Sequence, residues 1–275
     1  MKKLLLLIFL IPAITLLAQE KEVLTKLDAK ADFYGDLARQ IWSNPELGYL
    51  EKNSSQLLQK TLSDAGFKVT AGVAGIPTAF VAEFGSGKPV IGIMAEFDAL
   101  PGVSQEAVPF RKPVVVGGAG HACGHHLFGA ASVAAGISVM DWMKANKIQG
   151  TVRVYGTPAE EGGGGKIYIA RAGLIQDVDA MLHWHPGSQN AAGATSSLAN
   201  ISTKFRFYGE ASHAAAAPER GKSALDAVEA MNFMVNLMRE HVPMQTRMHY
   251  VITRGGEAPN VVPAFAESYH YVRHP

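Results

Sequence analysis

Six of the ten histidines lie between residues 121 and 213, in short motifs with acidic residues nearby. The densest is Gly120-His-Ala-Cys-Gly-His-His126, where Cys123 and His125 stand two apart in a glycine-flanked loop. That spacing lets a thiolate and an imidazole face one ion, and both are good ligands for zinc and similar metals. A single histidine there would carry little weight, whereas a cysteine with three histidines in six residues points to metal binding. A second motif, Thr157-Pro-Ala-Glu-Glu-Gly162, follows an apolar run. Neighbouring side chains in extended chain point opposite ways, so one carboxylate can hold a metal while the other faces an attacking water. Taken alone, the same segment reads better as a solvated acidic turn. The third motif, His183-Trp-His185-Pro186, ends another apolar run, and strand alternation would put the two histidines on one side. Either one singly also fits a structural histidine. In the fourth, Ala95-Glu-Phe-Asp-Ala-Leu-Pro101, Asp98 is placed to orient a ligand histidine or to cap a turn. Two patterns fail. Gly162–Gly165 with Lys166 resembles a phosphate loop, but Glu160 stands where its first glycine belongs and Ile167 replaces its Ser or Thr. No Gly-x-Ser-x-Gly nucleophile elbow occurs.

These motifs need a scaffold. Val23, Leu24, Leu27, Tyr34, Leu37, Ala38, Ile41 and Trp42 recur at helical spacing, and Asn44-Pro45 ends that helix. A second helix is expected at about residues 54–62, closed by Gly66. Residues 78–84 and 89–95 read as strands around the turn Gly85-Ser86-Gly87. Residues 127–142 are apolar nearly all round, as in a helix buried in a core. The short apolar runs 152–155 and 178–184 read as interior strands. Strands alternating with helices predict an α/β sheet, which places ligands at its strand ends. Residues 193–202 are small and polar, like a linker. A strand (203–208), a helix (223–238) and two more strands (248–253 and 264–272) follow, as in a small α+β domain. The helix places Leu225, Val228, Met231, Val235 and Met238 along one face.

The composition, 48% hydrophobic and 18% charged with a formal charge of +1, is that of a globular protein and offers nothing to nucleic acid or an anionic membrane. Lys2 and Lys3 precede an apolar run from Leu4 to Leu17, and Ala18 offers a small residue for cleavage. This is the pattern of a secretory signal over residues 1–18, and the run is short for a membrane span. The protein is therefore expected to be exported, to the periplasm or outside the cell. Losing that segment removes two lysines and no acid, which takes the charge from +1 to −1. Cys123 is the single cysteine, so no internal disulfide forms.

As an ordered set, Glu96-Phe-Asp-Ala-Leu-Pro101, His121-Ala-Cys-Gly-His125, Pro158-Ala-Glu-Glu-Gly162, His185, Ser212-His-Ala-Ala215 and Pro259-Asn-Val-Val-Pro263 resemble the aminoacylase and carboxypeptidase superfamily of metallopeptidases. The likeness extends over nearly the whole chain after the leader and is greatest to the amidohydrolase branch. Trp184-His-Pro-Gly187 and Tyr271-Val-Arg-His-Pro275 tilt it toward the aminobenzoyl-glutamate hydrolase type. The resemblance implies an α/β catalytic domain of sheet and helices, here residues 19–196, with an inserted α+β lid and dimerisation domain, here residues 197–275, both incomplete. It implies that Cys123, His125, Glu161 and His185 are ligands of a centre of two divalent transition metal ions, zinc or manganese. Glu160 would be the general base, and Asp98 would support a ligand from behind. His213 would reach the partner subunit's site in a homodimer and stabilise the oxyanion, and Asn260 would help hold the substrate. The implied reaction is hydrolysis of an N-acyl or aryl-amide amino acid with a free carboxylate.

Two departures are expected to matter. His126 follows the Cys-x-His motif where related sequences carry other polar residues. The family also takes one more histidine ligand from the far end of its catalytic domain, whereas His270 and His274 lie on lid sequence and are poor substitutes. The expectation is a truncated chain, inactive alone. A homologue that binds only metal or ligand, without turnover, is the alternative. A purely structural zinc site fits less well, because such sites prefer four Cys or His ligands.

Overall fold

The computed structural model describes residues 20–193 and 196–275; the expected leader at 1–18 lies outside them. Among the described residues, no helix is long and apolar enough to cross a membrane. The chain divides into two compact units between Gln189 and Asn190.

The first unit is built on a mixed five-stranded sheet. Its helices are a short one at residues 20–28, then α1 (Ala31–Ser43), α2 (Lys52–Ala65), α3 (His125–Asn146) and α4 (Gly165–Arg171). Its strands are β1 (Lys68–Ala71), β2 (Phe80–Ser86), β3 (Val90–Ala95), β4 (Gly150–Gly156) and β5 (Ala180–Leu182), in the order β1-β2-β4-β3-β5. The helical spacing at 23–42 resolves into two helices, because the chain turns at residues 29–30 before α1. α2 ends at Gly66, whose φ of +110° suits a residue without a β-carbon, and Phe67 N–H donates back to Leu62 O at 3.0 Å. The start of α2 is capped from outside: Glu46 accepts the N–H groups of Asn53 and Ser54. Burial of Phe128, Val133, Ile137, Met140 and Met143 around α3 matches its all-round apolar sequence.

Alternate residues of β4 divide between two cores. Val152 and Val154 join Leu37, Ile41, Leu58, Leu62, Phe97, Val133 and Ile137 on one face. Tyr155 joins Ile76, Ala79 and Ile169 on the other. β2 and β3 are consecutive but not neighbours, because β4 lies between them, antiparallel to β2 and parallel to β3. β5 also runs parallel to β3. One apolar run departs from expectation. Residues 178–184 do not make an interior strand: β5 is a three-residue edge strand with Ala180 and Leu182 exposed, since β3 pairs with it on one side only.

The second unit is an antiparallel sheet in the order β6-β8-β7, made of β6 (Ala199–Tyr208), β7 (Arg247–Arg254) and β8 (Phe265–His274), with α5 (Ala224–Met238). Ser223 caps α5 by accepting Asp226 N–H. Residues 199–202, expected in a linker, pair with residues 271–274 as the start of β6. On α5 the buried residues are Ala224, Val228 and Asn232, while Met238 is exposed, so the inward face is turned from the predicted stripe. Asn232, Ser268 and His270 form a buried hydrogen-bonded group. His270 is thus committed to its own core.

Candidate metal centre

Three parallel strands, β3, β4 and β5, end on the same edge of the sheet, and the N-terminus of α3 meets them there. Each strand end continues into one motif. After β3, Phe97 turns into the core with 0% exposure and stacks on Phe80, while Glu96 and Asp98 on either side face the site. After β4, Thr157 N–H donates to Ala95 O and leads into Glu160 and Glu161. After β5 come His183 and His185. The strand stops at Leu182, so the predicted alternation does not apply: His183 turns to Glu96 and His185 to Cys123.

The loop before α3 ends at Gly124, with φ of +79°. A β-carbon there would lie 2.9 Å from Pro186, so a glycine lets the Cys123 loop close on the His185 segment. Cys123 Sγ lies 3.3 Å from His185 Nε2. His125, the first residue of α3, is fully buried; its Nδ1 faces Asp98 Oδ1 at 2.9 Å. That contact assigns the proton to Nδ1 and leaves Nε2 facing the site. Asp98 Oδ2 accepts Glu161 N–H at 2.8 Å, tying the β3 and β4 motifs together.

The potential ligand atoms of Cys123, His125 and His185 lie within 4.8 Å of one another, as do those of Glu96, His125 and Glu160. His125 Nε2 approaches Glu96 Oε2 at 3.0 Å without hydrogen-bond alignment, and both atoms are buried and unpartnered, as is Glu161 Oε1. Orphaned donors and acceptors are costly inside a protein. Here they converge, and a set of thiol, imidazole and carboxylate suits zinc or manganese. The residues fit a transition metal ion.

The electrostatics follow from this crowding of acids. Burial pushes the Cys123 thiol up to about 12, aided by its hydrogen bond to Glu161 and the charges of Glu161, Glu160 and Glu96. A cation at the site would reverse that, because a coordinated thiol deprotonates. Burial also raises the Glu160 carboxyl, and the Glu96 charge adds to it. Burial pulls His125 down, but the bond to Asp98 and the charges of Asp98, Glu96 and Glu160 raise it overall. Burial works against an ionised Asp98, yet the hydrogen bonds from His125 and Glu161 N–H hold its carboxyl below the usual range. His121 is pushed down to about 4 by burial and by neighbouring His126.

Cys123, His125, Glu160, Glu161, His185 and Asp98 thus come together in the first unit. In the second unit, His213 pairs with Val261 and Ala214 N–H donates to Asn260 O, which brings His213 and Asn260 side by side. His213 Nδ1 accepts the N–H groups of Ala215 and Ala216, so its exposed ring offers Nε2–H as a donor. Sequence reasoning gave no role to Glu96 or Lys166 and left that of His183 open. Glu96 is buried, with Oε1 bonded by Lys166 Nζ and 3.2 Å from His183 Nε2. The glycines of the failed phosphate loop turn the chain so that Lys166, in the first turn of α4, reaches that carboxylate. A cation just past the acid pair was the available signal.

A profile of peptidase family M20/M25/M40 matches residues 92–267. The chain is 47% identical over 251 residues to one of the subunits of p-aminobenzoyl-glutamate hydrolase from Escherichia coli (strain K12), covering 90% of this chain and 52% of that one. It is 33% identical to the Xaa-Arg dipeptidase of Homo sapiens, covering 90% of this chain and 57% of that one. It therefore spans about half the length of these curated relatives. An aminobenzoyl-glutamate utilization protein from Klebsiella pneumoniae has the same fold, with a TM-score of 0.64 at 20% identity over 91% of this chain and 68% of that one. So does the Bacillus subtilis YXEP protein, described as a dinuclear metal binding peptidase, with a TM-score of 0.56 at 24% identity over 90% and 65% of the two chains.

Proposed function

The chain belongs to peptidase family M20/M25/M40, and from that premise we propose that it serves metal-dependent hydrolysis of the amide bond in an N-acyl or aryl-amide amino acid with a free carboxylate. The observation that carries this reading is the convergence of Cys123, His125, Glu160 and His185 where three parallel strands end, with Glu161 bonded to Asp98 and Cys123 beside them. In this reading Cys123, His125, Glu161 and His185 hold two divalent ions, zinc or manganese. Such ions, when bound, polarise a carbonyl and make water acidic enough to attack it.

The protein's own groups do the rest. Asp98 keeps the His125 proton on Nδ1, leaving Nε2 free to ligate. Glu160 takes the proton from the attacking water and returns it to the leaving nitrogen. Its raised pKa supports that work, since a base is most effective near the working pH. His213, held as an Nε2–H donor, serves the oxyanion of the partner subunit in a homodimer formed through the second unit. Asn260 beside it holds the substrate. The Escherichia coli relative, whose name gives p-aminobenzoyl-glutamate as what it hydrolyses, supports an aryl-amide of glutamate as the substrate to try. Residues 1–18 are read as an export signal.

The test compares Glu160→Gln with Glu161→Gln for zinc content and for release of p-aminobenzoate from p-aminobenzoyl-glutamate. In a protein extended to the length of its relatives, Glu160→Gln is expected to keep its metal and lose turnover, whereas Glu161→Gln loses metal. Metal loss in Glu160→Gln with retention in Glu161→Gln reverses the two roles. Bound metal with no turnover in a protein extended to the length of its relatives favours the binding-only reading.

A further inference from the structure

Glu51, one residue before α2, is a fully buried carboxylate, and among the described residues it makes no ion pair. Its partners are hydrogen-bond donors: Oε1 accepts the N–H of Ala159 at 2.8 Å, Oε2 accepts Thr78 Oγ1 at 3.0 Å, and the backbone N–H groups of Glu51 itself and of Tyr49 also turn to the carboxylate. Ala159 precedes Glu160 and is itself unusual. Its φ is +54°, in the left-handed region that disfavours any residue with a β-carbon, and it is fully buried. Its carbonyl accepts the N–H groups of Gly163 and Gly164, closing the acid-bearing turn. The two residues before Leu50 brace the same turn. Tyr49 Oη donates to Gly163 O at 2.6 Å, and a β-carbon on Gly48 would lie 3.0 Å from the Cα and Cβ of Ala159.

We propose that Glu51 is a positioning residue for the acid pair: by holding the Ala159 N–H it pins a left-handed residue, and so sends Glu160 toward His125 and Glu161 toward Cys123. Its consequence for metal binding rests on the function proposed above; the pinning of the turn does not. The chemistry requires a reaching acceptor and not a charge. Every partner donates, and burial raises the carboxyl overall despite the hydrogen bonds that favour its ionised form. A glutamine oxygen can take the Ala159 N–H, and the Thr78 hydroxyl can rotate to accept from the amide group. An aspartate keeps the charge but withdraws the oxygens by one methylene.

The experiment is amide hydrogen exchange by mass spectrometry on the intact chain in chelator, comparing Glu51→Gln with Glu51→Asp, followed by zinc titration of each. In Glu51→Asp, a peptide spanning 157–164 is expected to exchange about tenfold faster, with β4 and α3 unchanged, and zinc to bind ~10- to 100-fold more weakly. In Glu51→Gln both are expected to stay within about threefold of the parent. The reverse order, with aspartate protected and glutamine loosened, overturns the proposal. So does equal loosening of turn, strand and helix in both, the mark of a merely structural residue. If the parent binds no zinc, the proposed function fails and the exchange comparison still decides the role of Glu51.

Discussion

Asp98→Asn isolates the step on which the proposed centre depends. Asp98 is 1% exposed and accepts two hydrogen bonds, from His125 Nδ1 at 2.9 Å and from Glu161 N–H at 2.8 Å. Asparagine keeps the shape but has one acceptor oxygen. If that oxygen serves Glu161 N–H, the amide group faces His125 Nδ1 and drives the imidazole proton onto Nε2, the atom proposed to ligate. If the oxygen serves His125, the Glu161 N–H is left without an acceptor, at about 1–3 kcal/mol. Either arrangement injures a ligand, and loss of such a supporting group typically weakens metal binding ~10- to 100-fold, or about 1.4–2.8 kcal/mol. Asp98→Ala orphans both donors at about 2–6 kcal/mol, a large share of the ~5–15 kcal/mol that holds a domain together. Asparagine is therefore the informative variant. Zinc affinity would be read by competition with a chromophoric chelator, and folding by urea titration in chelator. A folded Asp98→Asn protein with zinc affinity within about twofold of the parent would refute the claim that Asp98 sets the His125 tautomer.

Phe97→Ala, which empties the fully buried position between Glu96 and Asp98, should cost about 3–5 kcal/mol in urea unfolding and weaken zinc binding too; wild-type affinity would mean the two acids are held by other contacts. His270 supplies a pH dependence away from the site. Burial among Asn232, Ser268, Tyr250 and Phe205 lowers its pKa, with no charged group against it among the described residues. The unfolded chain therefore takes up this proton near pH ~6.5 and the folded chain only below it, so stability should fall as the pH drops through that window. His270→Gln should flatten that part of a pH series of urea midpoints, and an unchanged slope would assign it to another group.

What the sequence made legible was local. The all-round apolar run at 127–142 could be buried only as a helix, Gly66 announced the end of α2, and Cys123-x-His125 needed no partner to suggest a ligand pair. What it hid depended on distant partners. Residues 152–155 and 178–184 look alike in composition, yet the first runs through the middle of the sheet and the second borders its edge. Nothing near Gly85 indicates that β4 separates β2 from β3. His183 and His185 diverge because β5 ends one residue before them. Lys166 finds Glu96 70 residues away, and Glu51 finds Ala159 108 residues away. Neither pairing has a local signature.

The central claim is that a transition metal ion is held by Cys123 together with imidazole and carboxylate ligands. X-ray absorption at the zinc edge addresses it directly, on the zinc-loaded parent and on Cys123→Ser. The account predicts one sulfur scatterer at ~2.3 Å beside nitrogen and oxygen at ~2.0–2.2 Å, with the sulfur gone and the zinc content reduced in the variant. Bound zinc with the same sulfur-free shell in both proteins would contradict it.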